Sequence, residues 1–451
     1  MNPAILRSRS PSASRRGSVL IIVLWVAFGL VSLTLYFAHS MTLHLRTSDN
    51  IVAAAEADEA MLGALRYATN FLANLENAGK LPDRSTYATQ AEPLGDAKFW
   101  FIGRSESQAT PAEPTFDFVD EASKLNLNTA TPAMLAALPR MTEDLAAAII
   151  DWRDTDSNLT QGGAEDDIYL RLNPPHKCKN SPFETIGELR MVYGFTPEIL
   201  LGEDTNLNGI LDANENDGNA LLPEDNRDGR LDPGILEYVT VYSSEANTRT
   251  NGSARINVAS GQQQELVALL KEKFGDSRAS EIQRQLGGAG PGVRSVLEFY
   301  IRSRMTVDEF SQISTDITTT NATSVQGLVN VNTASEAVLA TIPGIGTDYA
   351  PSLVNYRQSN KDKLTSVAWV AEVLDREKAI AAGPYLTGRG YQFTADVAAV
   401  GHHGRGYRRS RFVIDTTQQP PRILYRQDLT NLGWALGKTA RNDLLAAEGK
   451  R

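Results

Sequence analysis

An uncharged apolar segment near the N-terminus constrains this chain more than any other feature. Residues 18–38 read SVLIIVLWVAFGLVSLTLYFA and contain no charged side chain, and about 20 residues of this kind cross a bilayer as a helix. All the charged residues before the segment are basic: Arg7, Arg9, Arg15 and Arg16. Because basic flanks stay on the cytoplasmic side of a membrane, the sequence predicts one transmembrane helix with the C-terminal bulk on the opposite side.

A secretory signal peptide, removed after export, is the alternative interpretation of this segment. The apolar part of such a peptide usually has about 7–15 residues and ends at a cleavage site with small residues. The segment here is longer, and Phe37-Ala38-His39-Ser40 is a poor cleavage site. The sequence therefore favours a retained membrane span.

The helix is expected to continue beyond the membrane. No proline occurs between Pro11 and Pro82, and over residues 51–75 apolar side chains recur mostly every three to four positions, which is the spacing of an amphipathic helix. Gly79 and Pro82 provide a stop signal. A helix over 18–78 would be roughly 90 Å long at about 1.5 Å per residue. Two arrangements fit: a membrane anchor followed by an unrelated helix, or one continuous helix whose outer half packs on a globular domain.

Strand-like segments occur in two separate parts of the chain. They are rich in aromatic and β-branched residues and comprise residues 98–104, 115–119, 391–400, 407–416 and 421–427. The glycine-rich stretch 401–406 predicts a hairpin turn, and 237–243 is a further strand candidate. Most of 124–385 has helix or loop patterns. The predicted fold class is therefore α+β, with a long N-terminal helix and an antiparallel sheet that is interrupted by a large helical insert.

An internal repeat divides the insert. LNLNTA at 125–130 and VNVNTA at 329–334 each precede a predicted pair of helices, and RINVA at 255–259 opens a partial third copy without a hairpin. Asn and Thr suit helix N-caps, since their side chains accept hydrogen bonds from free backbone N–H groups. IPGIG at 342–346, between the two helices of the last copy, resembles the helix-hairpin-helix motif of DNA-binding proteins, in which glycines let backbone N–H groups approach a phosphate.

DNA binding is therefore one functional alternative, and three features weaken it. The corresponding turn of the first copy, PRMT at 139–142, lacks both glycines, and Asp348 places a carboxylate where a phosphate would sit. The chain carries 44 Lys+Arg against 54 Asp+Glu. Without the four N-terminal arginines, 40 basic and 54 acidic side chains leave a net charge of −14, whereas nucleic-acid binding needs clustered cations.

An acidic loop carries the most specific chemical motif. Residues 204–215, DTNLNGILDANE, match the 12-residue EF-hand calcium loop, with side-chain oxygens at positions 1, 3 and 5, glycine at 6, a backbone carbonyl at 7, and acids at 9 and 12. The predicted Ca²⁺ ligands are Asp204, Asn206, Asn208, Ile210 through its carbonyl, Asp212 and Glu215. A solvated acidic turn is the simpler alternative, but the position-by-position match favours calcium.

A second cluster, at 224–235, repeats the pattern less completely. Its candidate ligands are Glu224, Asn226, Asp228 and Asp232. Position 12 is Ile235, and the nearest later acid, Glu237, lies two residues beyond it. The cluster is consistent either with a looser calcium site or with a loop that supports the first one.

No catalytic site is expected. The single cysteine, Cys178, excludes an internal disulfide and a thiolate zinc site. The five histidines match no motif that pairs a nucleophile with a base, and no phosphate-binding glycine loop occurs in the sequence. The chain is therefore predicted not to be an enzyme.

The N-terminal junction resembles a known family. RRGS at 15–18 followed by an apolar helix is similar to the type IV prepilin leader, which a prepilin peptidase cleaves after the glycine, here between Gly17 and Ser18. Pilins and pseudopilins normally have Glu at the fifth mature position, where this chain has Ile22. Loss of that Glu together with LWV at 24–26 resembles the K-type minor pseudopilins of type II secretion. The N-x-N-T-A segments are similar to those in the large inserted domain of the same family.

The resemblance implies a non-catalytic subunit at the tip of the type II secretion pseudopilus, which initiates assembly and supports protein export across the outer membrane. Its implied partners are the I- and J-type minor pseudopilins, the major pseudopilin and the prepilin peptidase. The implied location is the bacterial inner membrane, with a single span and the C-terminal bulk in the periplasm. A membrane-tethered helix-hairpin-helix protein for DNA binding or uptake remains the alternative.

Together with the residue patterns, the resemblance predicts a division of the chain into segments. These are a prepilin leader (1–17), an N-terminal helix (18–80) with its transmembrane part at 18–38, a pilin-like β-domain (81–123 and 386–430), a helical insert (124–385) with the calcium loops at 204–237, and a C-terminal tail (431–451).

Overall fold

The computed structural model of the protein describes residues 16–104, 113–218, 220–260, 263–287 and 292–448. Most of the predicted leader (1–15) and the last three residues of the tail therefore lie outside the described residues. The α-helices are α1 (Arg16–Ala73), α2 (Pro132–Ala136), α3 (Glu143–Arg153), α4 (Asp166–Tyr169), α5 (Pro197–Leu201), α6 (Gln263–Gln285, with a break at Gly275), α7 (Val296–Ser303), α8 (Val307–Ile313), α9 (Glu336–Ala340), α10 (Gly346–Ser359), α11 (Val370–Val373), α12 (Arg376–Ala382) and α13 (Gly437–Glu448).

The strands fall into a main sheet and four two-stranded ladders. They are β1 (Glu92–Leu94), β2 (Ala97–Ile102), β3 (Val119–Asp120), β4 (Leu125–Asn126), β5 (Val239–Thr240), β6 (Ser244–Ala246), β7 (Ile256–Asn257), β8 (Ile317–Thr318), β9 (Ser324–Gln326), β10 (Val329–Asn330), β11 (Leu386–Thr387), β12 (Gln392–Val400), β13 (Arg408–Asp415) and β14 (Arg422–Asp428).

Helix α1 runs without interruption for 58 residues, which confirms the second arrangement, one continuous helix. It ends at Ala73, five residues before the predicted end at 78. The side chains of residues 19–38 are exposed, and the helix is long and apolar enough to cross a membrane by length and composition. The outer half instead buries a row of small side chains: Ala53, Ala57, Ala60, Ala64 and Ala68. Small residues at this spacing lie on one face of the helix and let the sheet approach its backbone.

The main sheet packs on that alanine face. Its strand order is β1-β2-β12-β13-β14, all antiparallel, with β3 pairing beside β2 on β12. Every residue of β12 is buried, because both faces of the sheet are covered. Phe99, Phe101 and Phe393 face the helix side, whereas Trp100 and the C-terminal Leu436 belong to a small apolar cluster on the other side. The C-terminal tail therefore closes the second face of the sheet.

The hairpin between β12 and β13 lies directly against α1. A Cβ atom added to Gly401 would come within 2.1 Å of the carbonyl oxygen of Ala53. Only a residue without a side chain permits this approach, which explains a glycine at the predicted turn.

The insert consists of three units that each begin and end in a short parallel ladder. Leu125 pairs with Val239, Ile256 with Ile317, and Val329 with Leu386, and in every ladder the next residues along are Asn and Thr. The copy opened by β7 is therefore complete in three dimensions, with α6, α7 and α8 between its strands, and not the partial copy that its sequence suggested. The predicted strand over 237–243 shrinks to β5, since Ile235–Glu237 forms a 3₁₀ turn instead.

Two arginines make equivalent hydrogen bonds in the first and last units. Arg357, near the end of α10, donates hydrogen bonds from Nη1 to the carbonyl oxygens of Val331 and Ala334, and Arg153 at the end of α3 donates to those of Leu127 and Ala130. Each arginine thus ties the second helix of its unit to the N-x-N-T-A segment that precedes the first. The fold class is confirmed: an α+β protein with an antiparallel sheet interrupted by a large helical insert.

Candidate metal-binding loops

The first acidic loop, residues 204–215, has a tightly hydrogen-bonded backbone. Leu207 and Gly209 adopt left-handed conformations, with φ of 55° and 72°. The two carboxylate oxygens of Asp204 accept hydrogen bonds from the backbone N–H groups of Asn208 and Gly209, both at 3.0 Å. The side-chain oxygens of Asn206 and Asn208 accept from the N–H groups two residues later. The chain therefore winds around the oxygens at positions 1, 3 and 5, which are the positions that the sequence singled out.

The remaining predicted ligands close the same loop. The Nδ2 atoms of Asn206 and Asn208 donate to Oδ2 of Asp212, at 2.8 and 3.0 Å. The backbone N–H of Asp212 donates to Oε2 of Glu215 at 2.9 Å. Ile210 is buried, which holds its part of the loop against the body of the protein. The structure therefore brings all six predicted residues into one turn.

Two carboxylates of this loop are buried at an electrostatic cost. Asp204 is 4% exposed and Glu215 is 1% exposed. Burial, and after it the charge of Glu237, raises the pKa of Asp204 to about 6. Burial is also the main cause that raises the pKa of Glu215 to about 7, and the charges of Asp204 and Asp212 add to it. Within the described ranges no Lys, Arg or His forms an ion pair with either carboxylate, so the loop holds negative charge that a cation would neutralise.

The second cluster has the same backbone scaffold twenty residues later. Arg227 and Gly229 have φ of 58° and 77°, matching Leu207 and Gly209. Nδ2 of Asn226 donates to Oδ2 of Asp232 at 3.1 Å, and Oδ1 of Asn226 accepts from the N–H of Asp228 at 2.8 Å. The two loops are thus structural copies, although the second is largely exposed.

The structure changes the ends of the second loop relative to the sequence prediction. Glu224 is exposed, and no described residue donates a hydrogen bond to its carboxylate. Ile235 at position 12 is fully buried in the core, and Glu237 pairs with Arg104 instead of joining the loop. Oε2 of Glu203 accepts from the N–H of Asp232 at 3.0 Å, as Oε2 of Glu215 does from Asp212.

Glu203 therefore occupies, in the second loop, the place that Glu215 occupies in the first. It lies 29 residues before Asp232, from whose N–H it accepts a hydrogen bond. It is 3% exposed, and burial raises its pKa. Sequence reasoning missed it, because the residue belongs to no pattern of the second cluster. The only signal in the sequence was a second acid directly before Asp204.

A buried ion pair joins the first loop to the sheet. Arg409 on β13 is fully buried and contacts Asp396 on β12, with Nε 2.8 Å from Oδ1. Its other nitrogens donate to the backbone carbonyls of Asn206 and Leu207. Burial opposes ionisation of Asp396, but the charges of Arg409 and Arg411 outweigh it and hold the pKa of that carboxyl below its ordinary value.

The acidic side chains of these loops do not form a metal centre by themselves. Across the described ranges, no three His, Cys, Asp or Glu side chains converge closely enough to hold an ion by themselves. Calcium, however, also accepts amide and backbone carbonyl oxygens, and each loop offers these through its asparagines and its position-7 carbonyl. The donors present fit Ca²⁺ better than a metal that needs nitrogen or sulfur ligands.

The predicted leader-cleavage position lies at the start of α1. Gly17 and Ser18 are helical and follow Arg16 directly. Ile22 is 61% exposed on the apolar part of the helix. The two cleavage residues are therefore part of α1 and far in sequence from both loops.

The turn between α9 and α10, which resembles a helix-hairpin-helix, packs on α12. A Cβ atom on Gly344 would lie 2.5 Å from the carbonyl oxygen of Lys378. Gly344 has φ of 87°, so both its conformation and its contact require glycine. Packing of this turn on α12 therefore accounts for the glycine. Asp348, in the first turn of α10, is exposed.

Comparison with known proteins identifies two regions of the insert. Residues 123–201 match the family model described as type II secretion system (T2SS), protein K, and residues 324–373 match a helix-hairpin-helix motif. The chain is 40% identical over 57 residues to type II secretion system protein K of Pectobacterium carotovorum subsp. carotovorum, covering 13% of this chain and 17% of that protein. It is 35% identical over 60 residues to the protein K of Klebsiella pneumoniae, covering 13% and 18%. These matches confirm the predicted resemblance, and they span less than a fifth of the relatives' length.

A solved structure is similar over a longer stretch. The crystal structure of the GspK-GspI-GspJ complex from enterotoxigenic Escherichia coli type 2 secretion system aligns with 86% of this chain and 99% of the matched chain, at 12% identity and a TM-score of 0.37. A likeness of this size is too distant to transfer any feature between the two.

Proposed function

We propose that this chain, which belongs with the K-type minor pseudopilins of type II secretion, is a structural subunit at the tip of the pseudopilus. The observation that carries the proposal is the protein K match at residues 123–201. These residues lie inside an insert that interrupts a sheet, and that sheet packs on a helix long and apolar enough to cross a membrane. The subunit would initiate assembly and support export across the outer membrane without catalysing a reaction. It would sit in the bacterial inner membrane with its bulk in the periplasm, after the prepilin peptidase has cut between Gly17 and Ser18.

The tip position rests on charge and size. A carboxylate within the membrane is costly unless it is paired, and in pilin-like assemblies the Glu at mature position five is expected to pair with a neighbour's N-terminal ammonium. Ile22 cannot serve as that partner, although the chain can still offer its own ammonium to another subunit. The insert between β3 and β12 is also too large to repeat at every step of a narrow filament. Both features suit one end of the assembly.

Calcium binding by the loops is the second part of the proposal. The first loop would use Asp204, Asn206, Asn208, Asp212 and Glu215 with the carbonyl of Ile210, and the second would use Asn226, Asp228 and Asp232 with Glu203. A bound Ca²⁺ would supply positive charge to buried carboxylates that form no ion pair with a basic side chain among the described residues. The residues themselves hold the loop closed and fix the oxygens around its centre.

Isolation of the complex tests the tip proposal. The full chain would be produced with I- and J-type minor pseudopilins, extracted in detergent and isolated through a tag on its C-terminus. The expected result is recovery of all three proteins in equal amounts, with the major pseudopilin in excess only when filaments are preserved. A preparation that yields neither minor pseudopilin would contradict the proposed partners.

DNA binding is the second candidate, because residues 324–373 match a helix-hairpin-helix motif. The packing of Gly344 on α12 and the exposed Asp348 weigh against it. A mobility-shift assay with the detergent-solubilised chain and duplex DNA, at two salt concentrations, separates the candidates. Micromolar binding that weakens steeply with salt would favour the DNA-binding function.

A further inference from the structure

A cavity lies between the second and third units of the insert. Its walls are β8 with the threonines that follow it, the start of α7, and the segment from Gly383 to Arg389 after α12. Its volume is about 130 Å³. Since about 10–15 Å³ of such volume is enough to hold one water molecule, the space accommodates a small polyatomic ion together with several waters.

The charges around this cavity are unbalanced. Three arginines line it, Arg255, Arg294 and Arg389, against a single carboxylate, Glu245. Glu245 is already engaged, because Oε2 lies 3.1 Å from Nη1 of Arg255 and Oε1 accepts a hydrogen bond from the hydroxyl of Thr387. Arg294 has a carboxylate neighbour outside the cavity lining, Glu298, at 3.6 Å. The cavity therefore keeps a net positive charge.

The side chain of Arg255 gives the clearest indication that the cavity accommodates a ligand. Its side chain and that of Glu245 are each 10% exposed, and its Nε atom is buried without a hydrogen-bond partner in the described part of the chain. A buried donor that is left unpaired is destabilising, so such donors usually face a ligand or water. A guanidinium with a free Nε and a planar fork suits a carboxylate or phosphate-like group.

Two further groups add to the positive potential of the cavity. Nη1 of Arg389 donates to the carbonyl oxygen of Ala78 at 2.8 Å, and among the described residues no carboxylate lies within ion-pair distance of it. Ser295 caps the N-terminus of α7, where its Oγ accepts from the N–H of Glu298 at 3.0 Å. Its own hydroxyl hydrogen remains available to donate, and the positive end of the α7 dipole points toward the same place.

We propose that this cavity is a binding site for a small oxyanion, with Arg255 and Arg389 as its charged ligands, Ser295 as a neutral donor and Arg294 at its mouth. Arg294 is 65% exposed, so the ion can enter from solvent. The shared chemistry is a compact anion with two or more oxygens, which is either tetrahedral, as in sulfate and phosphate, or planar, as in a carboxylate. Such an ion would join the second unit, which holds Arg255 and Ser295, to the end of the third unit, which holds Arg389.

Thermal unfolding of the full chain in detergent tests the proposal with sodium sulfate and sodium acetate as probes, against sodium chloride at equal ionic strength. A specific site predicts a rise in Tm that saturates in the millimolar range, whereas the general stabilising effect of sulfate grows without saturation. Saturation with sulfate alone identifies a tetrahedral ligand, and saturation with acetate identifies a carboxylate ligand. Either result supports the site.

Variants connect the binding to these residues. Arg389→Gln and Arg294→Gln should each weaken the saturating response, Arg389→Gln by about tenfold in Kd, as expected when one charge-assisted hydrogen bond is removed. Arg422→Gln, on the exposed strand β14, is the matched control and should leave the response unchanged. Arg255→Gln should abolish the response, and if that variant does not fold, the other two decide. A response that never saturates, or one that is equal in the wild type, Arg389→Gln and Arg422→Gln, would overturn the proposal.

Discussion

Buried carboxylates that form no ion pair with a described basic side chain are the feature that stands out among single residues. Asp204, Glu215 and Glu203 are all less than 5% exposed, and each accepts backbone hydrogen bonds. Backbone donors stabilise a carboxylate but do not remove its charge. The charges of Arg409 and Arg140 act on Asp204 and Glu203, but burial outweighs them and the pKa values of all three acids stay raised. Calcium coordination would offset this cost of burial.

Chelation tests the proposed calcium loops directly. At about 10 mM Ca²⁺ and a Kd on the order of 10⁻⁴–10⁻³ M, binding to the folded state adds roughly 1.4–2.7 kcal/mol of stability. We therefore expect EDTA to lower the Tm of the full chain by a few degrees relative to excess Ca²⁺. Glu215→Ala should remove most of this difference, because position 12 supplies the bidentate ligand.

The matched control for that experiment is Glu224→Ala. The sequence alone makes Glu224 a ligand. In the structure its carboxylate accepts no hydrogen bond from a described residue, whereas Glu203 closes the loop at Asp232, so the EDTA effect should persist in this variant. Glu203→Ala should reduce the effect through the second loop. An EDTA effect of zero in the wild type would rule out the calcium proposal, and loss of the effect in Glu224→Ala would rule out the assignment of Glu203.

Arg409 provides a test of how the loop is held on the sheet. Its removal leaves Asp396 buried with one remaining partner and frees the carbonyls of Asn206 and Leu207. Breaking a buried ion pair from one side costs about 3–5 kcal/mol, so Arg409→Ala should lower the free energy of unfolding by about that amount. Urea titration in detergent, followed by circular dichroism, measures it. Arg411→Ala is the control, since Arg411 pairs with the same carboxylate but does not contact the loop, and a loss equal to that of Arg409→Ala would contradict the docking role.

At the scale of secondary-structure elements, the contact between α1 and the β12–β13 hairpin is held by groups whose charges change with pH. His402 lies between two carboxylates of α1, with Nδ1 2.7 Å from Oε2 of Glu56 and Nε2 2.9 Å from Oδ1 of Asp49. Arg405 also pairs with Asp49, and His403 is the other titratable group facing it. Hydrogen bonds to Asp49 and Glu56 raise the pKa of His402, and hydrogen bonds from His402 lower the pKa values of both acids.

The signs of these shifts define a pH window. The contribution of His402 is fully present below its unfolded pKa of 6.5 and is lost as the pH rises through its higher folded pKa. The contributions of Asp49 and Glu56 are present above their unfolded values of 3.8 and 4.5 and are lost as the pH falls through the lower folded values. The contact should therefore be strongest between about pH 4.5 and 6.5.

A substitution at His402 checks this window. His402→Gln should lower the Tm of the full chain at pH 5.5 and have a much smaller effect at pH 9, because glutamine cannot carry the positive charge. His403→Asn is the control, since asparagine tolerates the left-handed conformation of that residue, and it should show little pH dependence. A Tm loss for His402→Gln that is equal at both pH values would show that the imidazole ring stabilises the contact by packing and not by its charge.

At the scale of the whole molecule, the chain combines a helix that is long and apolar enough to cross a membrane with a large helical insert. The apolar part of α1 is exposed along its length and available to lipid or to neighbouring helices. The three units of the insert form a separate, larger core. This combination is the reason that we propose a single copy at the end of the assembly.

Stoichiometry is the measurement that follows from the shape. Quantitative mass spectrometry of purified filaments should find this chain in far smaller amounts than the major pseudopilin, at about the level of the I- and J-type subunits. Ile22→Glu should leave that ratio unchanged, because it restores the carboxylate but keeps the insert. Amounts equal to those of the major pseudopilin, in the wild type or in Ile22→Glu, would refute the tip position.

Local signals in the sequence determine a large part of this protein. An uncharged run followed by helical periodicity is sufficient for α1, and alternating segments at both ends are sufficient for the interrupted sheet. The spacing of oxygens and glycine in 204–215 predicts the tight loop that the backbone forms there. Each of these signals lies within one short stretch of chain, where backbone geometry links neighbouring residues directly.

Tertiary structure decided the features that join distant residues. The middle unit of the insert is complete only because Ile256 pairs with Ile317, and its closing strand is too short to be seen in the sequence. Glu203 accepts a hydrogen bond from Asp232 in the second loop, and Arg409 donates one to Asn206, which lies some two hundred residues earlier in the chain. No periodicity connects such pairs, since their proximity depends on how whole units pack.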